Sequence, residues 1–208
     1  LKGKDRNITG ILPTIGILMF VGLYVYSANL YPGGSQANPN SVGFDWINNY
    51  WCNLMNENGM NGQINPARTY AITAMVILCT SLALFFVQFA QKFAKNRFWK
   101  PAIKIFGILT MAFAILIFTK YHDLMTIISS IFGVFVGIGI IWEVYTSHLN
   151  VFKIGGIVCV ILLGLNNYIY YSGNGIDYLP FIQKITFTTV LIWISGLNYT
   201  LTKQDGLQ

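Results

Sequence analysis

Charge is what this sequence has least of. Asp, Glu, Lys and Arg make up only 10% of its 208 residues, against 54% that are hydrophobic, and the charged share of an ordinary soluble domain is more than twice that. Water is therefore not the main solvent of this chain. Histidine is scarce, with only His122 and His148, and there are three cysteines, Cys52, Cys79 and Cys159. No CxxC or similar spacing joins the cysteines, which leaves no disulfide framework and no zinc-finger pattern. No GxSxG elbow is present, nor any intramembrane series of carboxylates, inverted repeat or pair of broken helices. The sequence thus carries no signature of a serine hydrolase or a secondary transporter. Acidic residues are few as well, leaving a net charge of +6. The excess Lys and Arg sit beside apolar segments instead of forming a stripe interleaved with aromatics, so no nucleic-acid partner is expected.

What the sequence does have is long apolar runs. A hydrocarbon core about 30 Å thick requires roughly 20 apolar residues per helix, and the runs fall at about 8–29, 69–93, 101–119, 124–145, 151–171 and 179–201. The expectation is an all-α, polytopic transmembrane bundle of about six spans forming a single membrane domain. The first run is too long for a signal peptide and lacks a small-residue cleavage pattern, so it reads as a permanent helix. Its Pro13 falls near the first turn, where a missing amide hydrogen costs least. In the fourth run Gly133 and Gly137 make a small-xxx-small spacing suited to close helix packing.

The positive-inside rule fixes an orientation. Lys2, Lys4, Arg6, Lys92, Lys95, Arg97, Lys100, Lys104, Lys153 and Lys203 fall on one side, and only Arg68, Lys120 and Lys184 on the other. Both termini are then cytoplasmic, in a bacterial cytoplasmic (inner) membrane. The polar segment 30–67 lies outside, and it is too long to be a mere connector. Its stretch FDWINNYWCNLM mixes aromatics with amides and predicts a short amphipathic helix at the membrane interface.

Polar groups within hydrocarbon are costly unless paired, so each is a functional candidate. Lys184 lies about one turn below the outer surface by helical rise, beside Gln183. Asn166 and Asn167 lie at similar depth, His122 and Asp123 open the fourth span, and Arg68 opens the second. With Asp45 and Asn49 from the long loop, these residues predict an outward-facing polar pocket. The simpler reading of Lys184 is a cation snorkelling to the headgroups, and of the asparagines, groups satisfying helix backbone. Asp45, Asp123 and His122 are the candidates for acid and base roles. His122 and His148 fall on opposite faces and cannot share a metal, and a Cys52, Asp45 and His122 trio has no supporting spacing. No metal or cofactor is expected. Glu143 and His148 at the inner end of the fourth span read as groups facing headgroups and the basic loop.

Four local features resemble a family of bacterial six-span membrane proteins known as domain of unknown function 998. They are the YPGG turn at Tyr31 to Gly34, the NYWCNLM segment from Asn49, His122 at the start of span four, and PFIQKITF with Gln183 and Lys184, followed by Trp193. The resemblance implies a fold and a topology but no activity. Where members of that family are expected to carry Arg, this chain has Lys184, which keeps the cation but loses bidentate geometry. A more distant similarity in layout links it to membrane hydrolases that include alkaline ceramidases, but two histidines fall short of that group's metal set. The expected function is binding of an anionic lipid headgroup or similar amphiphile in the outer pocket. The alternatives are an outer-leaflet lipid hydrolase and an accessory subunit of a larger membrane complex, with membrane lipids as partners in every case.

Overall fold

The computed structural model describes residues 8–205, with side-chain environments for 9–203. The basic head Lys2, Lys4 and Arg6 lies outside the described residues. Within them the chain forms helices α1 (Ile8–Asn29), α2 (Arg68–Lys92), α3 (Trp99–Ala114), α4 (His122–Tyr145), α5 (Asn150–Ser172) and α6 (Leu179–Asp205), with short 3₁₀ turns at Trp51–Met55, Ile115–Phe118 and Ile176–Tyr178. Six helical segments are long and apolar enough to cross a membrane. Among the described residues there is no strand, only isolated bridges between Gly33 and Val42 and between Asn58 and Ile64. Large side chains such as Leu18, Ile131, Val134, Ile154 and Ile161 are more than half exposed, as helices that meet lipid require.

The helices follow the apolar runs closely and differ mainly at their ends. The third tightens into a 3₁₀ turn over its last residues, where Thr119 donates its N–H at 3.0 Å and its hydroxyl at 2.8 Å to the Leu116 carbonyl. The sixth continues past its apolar run to Asp205. Pro13 is not in the first turn of α1, which starts at Ile8. The carbonyl that its missing N–H would have bonded is that of Thr9, and Gln88 Nε2 of α2 donates to it at 2.8 Å.

The chain divides into two compact units: the chain up to Met19 with Val76–Gly156 and the chain from Trp193, and Phe20–Met75 with Ile157–Ile192. The first, the α3–α4 unit, has α3 and α4 packed through rings, Phe106 on Phe132 at 5.6 Å and Phe113 on Phe132 at 5.9 Å. Close approach in this unit occurs at glycines other than the Gly133 and Gly137 pair. A Cβ on Gly139 would come within 2.8 Å of Ile103 and Trp99, and one on Gly107 within 2.6 Å of Phe86, whereas Gly137 faces open space. Asn198 of α6 donates to the Gly10 carbonyl and the Thr14 hydroxyl of α1, both at 2.9 Å. Trp193 of α6 lies against Gly155 and Gly156 and donates to the Phe152 carbonyl at 2.9 Å. Glu143 is buried, and its carboxylate accepts the main-chain N–H groups of Lys95 at 3.0 Å and Asn96 at 2.9 Å.

In the second, the loop unit, residues 30–67 are folded without regular structure. The amphipathic helix expected over FDWINNYWCNLM is reduced to the 3₁₀ turn Trp51–Met55, because the Asp and Asn side chains capture the backbone donors that a helix would use. Asp45 Oδ1 accepts from the N–H of Ile47 at 3.0 Å and of Asn48 at 3.1 Å. Asn49 Oδ1 accepts from Asp45 N–H at 2.8 Å, and Asn53 Oδ1 from Tyr50 N–H at 2.6 Å.

Candidate functional site

The loop unit is assembled on asparagines. Asn49 is fully buried and donates to the Gly34 carbonyl at 2.9 Å. Asn65 spans the carbonyls of Leu54 at 3.0 Å and Asn56 at 2.9 Å, and Asn61 donates to that of Pro32 at 3.0 Å. An amide side chain carries both donor and acceptor, so it can replace the strand or helix partner that this backbone lacks. The YPGG turn fits the same pattern. Gly33 and Gly34 have φ of +133° and +83°, with Ser41 and the Met60–Asn61 backbone packed where side chains would be, so only glycine is accommodated there. Tyr31 accepts the Met60 N–H at 2.9 Å, Ser27 donates to the Ala67 carbonyl at 2.9 Å, and Tyr24 donates to that of Trp51 at 2.9 Å. Rings of this unit meet in series at tilted angles: Phe20 with Tyr24 at 4.8 Å, Tyr24 with Trp51 at 4.7 Å and Trp51 with Phe187 at 5.9 Å.

Lys184 stands at the centre of this unit. Its side chain is buried; Nζ donates to the Asn49 carbonyl and, at 3.1 Å, to that of Pro180, and it lies 5.7 Å from the centre of the Phe44 ring. Among the described residues no carboxylate lies within ion-pair distance of it. Carbonyl dipoles and a ring face therefore solvate the ammonium, and Asp45 attracts it from beyond ion-pair distance. In the same unit Ser41 Oγ, Trp51 Nε1, Arg68 Nε and Gln183 Oε1 are buried with no hydrogen-bond partner.

The other candidates are distributed as follows. Asp45 and Asn49 share the loop turn that holds Lys184. Burial pushes the Asp45 carboxyl up, but hydrogen bonds from the Asn48 side chain and N–H, from Ile47 and from Ser35 outweigh it and leave the group below the usual carboxylate value. Its oxygens are thus committed to shaping the turn. Arg68 pairs with Glu57 at 3.1 Å in a largely exposed bridge, of a kind that contributes about 0–1 kcal/mol. Asn166 joins α5 to α6 by donating to Thr186 Oγ1, while Asn167 bonds back to the Leu163 carbonyl of its own helix at 2.9 Å. His122 and Asp123 belong to the α3–α4 unit, where they contact each other at 3.0 Å on the exposed first turn of α4. Burial pushes the Cys52 thiol above its usual value, partly offset by its own backbone and by Lys184. Among the described residues no three His, Cys, Asp or Glu side chains converge as metal ligands.

Sequence reasoning missed two partnerships, those of Lys184 with the Asn49 carbonyl and of Glu143 with the 95–96 backbone. Both acceptors and donors are main-chain atoms, which no residue pattern marks. The one available signal was the rarity of charge within the apolar runs.

Six helices long and apolar enough to span a membrane, with large apolar side chains left exposed along them, define a multi-pass integral membrane protein. Comparison with protein-family models, curated proteins and solved structures gives no match for this chain.

Proposed function

We propose that this protein binds the headgroup of an anionic lipid or similar amphiphile on the non-cytoplasmic face of a bacterial cytoplasmic membrane, with both termini inside, and that it does so without catalysing a reaction. The observation that carries this reading is Lys184, a buried cation facing carbonyls and a ring but no carboxylate. A positive charge held in low dielectric without a contact ion pair attracts an anion strongly. Three of the unpartnered buried atoms in the same unit, Ser41 Oγ, Trp51 Nε1 and Arg68 Nε, carry hydrogens to donate. Leaving such groups unsatisfied costs about 1–3 kcal/mol each, which a phosphate or carboxylate oxygen would offset. The loop unit also carries Trp46, Trp51, Tyr50, Tyr170, Tyr171 and Tyr178, the side chains that favour the depth at which headgroups lie. Membership of the six-span family described above belongs to the same proposal and adds no activity to it.

The test is native mass spectrometry of the protein purified with phosphatidylglycerol. The wild type is expected to hold one more phosphatidylglycerol than Lys184→Met, and Lys184→Arg to retain it. Equal lipid counts for wild type and Lys184→Met would rule out Lys184 as the headgroup anchor.

A further inference from the structure

The α3–α4 unit contains an open groove of about 420 Å³ whose walls include Arg97, Trp99, Ala102, Ile105, Phe106 and Phe135. Apart from Arg97 these walls are apolar, and Ile105 and Phe135 are half exposed or more. Lys95, Arg97, Lys100 and Lys104 cluster where α3 begins, all of them exposed. Among the described residues none of the four is paired with a carboxylate. Glu143 does not neutralise them through an ion pair, since its oxygens accept the main-chain N–H groups of Lys95 and Asn96.

We propose that this groove holds an acyl chain of one anionic phospholipid, with the phosphate against Arg97 and with Lys100 and Lys104 beside it. From Trp99 onward the walls belong to two membrane-spanning helices, so hydrocarbon is what reaches them, and a methylene chain brings no polar group that the walls would leave unsatisfied. The charge lies at the end of α3, where a spanning helix leaves hydrocarbon for the headgroup layer, and the guanidinium of Arg97 matches a phosphate in two parallel hydrogen bonds. Basic residues flanking spanning helices attract anionic headgroups, and here an apolar slot adjoins them. This lipid is separate from the one proposed at Lys184.

Trp99 lines the groove and reports on its contents. The protein is reconstituted in phosphatidylcholine vesicles containing a rising fraction of brominated phosphatidylglycerol or brominated phosphatidylcholine. The quenching specific to Trp99 is the difference between wild type and Trp99→Phe. In 0.1 M salt, brominated phosphatidylglycerol is expected to outcompete phosphatidylcholine about tenfold at this position, and Arg97→Gln to lower that preference about fivefold. Raising salt to 1 M shortens the screening length from about 10 Å to about 3 Å and removes the preference in the unmodified protein. Ala102→Phe fills the slot and removes the Trp99 quenching for both lipids, while Lys184→Met leaves it unchanged. Equal affinity for the two lipids, or an Arg97→Gln protein indistinguishable from wild type, overturns the proposal. So does a dimer in which Trp99 is shielded from both brominated lipids, since the groove would then belong to a second copy.

Discussion

Glu143 and Lys184 perform the same task with opposite charge. Each is buried on a helix, and each meets main-chain atoms of a non-helical segment, N–H groups at 95–96 for the glutamate and the Asn49 carbonyl for the lysine. Burying a single charge costs several kcal/mol unless hydrogen bonds replace its water. In Glu143 two N–H groups supply them, and bonds of this charged kind contribute about 1.5–3 kcal/mol each. Glu143→Gln preserves shape but replaces one acceptor oxygen with an amide NH₂, which then faces a backbone donor. It should lower stability by about 2 kcal/mol, a fall of about 4–8 °C in thermal midpoint for a chain of this size, read by thermal unfolding in detergent. Lys95→Met is the control: the contact uses the Lys95 main chain, so its midpoint should stay at the wild-type value. If Glu143→Gln matched that control, the carboxylate would not be holding the loop.

Among the elements, helices were legible in the sequence and contacts between them were not. A spanning helix is dictated by composition over a long window, and so α1, α2, α4 and α5 begin and end within two residues of their apolar runs. Packing depends on which face a residue occupies after two helices meet. Gly133 and Gly137 have the spacing of a packing motif, but Gly137 faces open space, and the tight approach is at Gly139. The two glycines therefore predict opposite outcomes. Gly139→Ala places a Cβ within 2.8 Å of Ile103 and Trp99 and should destabilise by about 1–3 kcal/mol through overpacking. Gly137→Ala meets nothing and should be neutral or stabilising by up to about 1 kcal/mol, because alanine is the better helix former. Thermal midpoints of the two variants, measured together, decide the matter, and a larger loss at Gly137 would mean that the packing face has been misassigned. The loop segment was legible as an ordered element but not in its form. Its asparagines suggested polarity, whereas Asn49, Asn61 and Asn65 act as surrogate backbone partners, a role set by carbonyls distant in sequence.

For the molecule as a whole, the asymmetry of charge is the strongest guide to function. Lys92, Lys95, Arg97, Lys100 and Lys104 lie in or beside the short connection between α2 and α3, and the 30–67 segment contains no Lys or Arg. That difference divides the candidate sites in two, a buried lysine in the loop unit, whose 30–67 segment carries Asp45 and Glu57 but no Lys or Arg, and an exposed basic rim in the α3–α4 unit. The sequence revealed Lys184 as an anomaly, because a charge inside an apolar run is rare. Orientation itself can be measured through Cys52. Cys79 and Cys159 are buried within spanning helices, which leaves Cys52 as the thiol of the polar segment. Its burial and raised thiol pKa make it a slow nucleophile whose rate keeps climbing at pH values where an ordinary cysteine would be fully ionised. A membrane-impermeant maleimide applied to spheroplasts at about pH 8.5, near the usual thiol value, should therefore label wild-type protein slowly and Cys52→Ser not at all. Labelling that occurs only after the membrane is broken would reverse the orientation, and the headgroup site at Lys184 would then have to face the cytoplasmic leaflet.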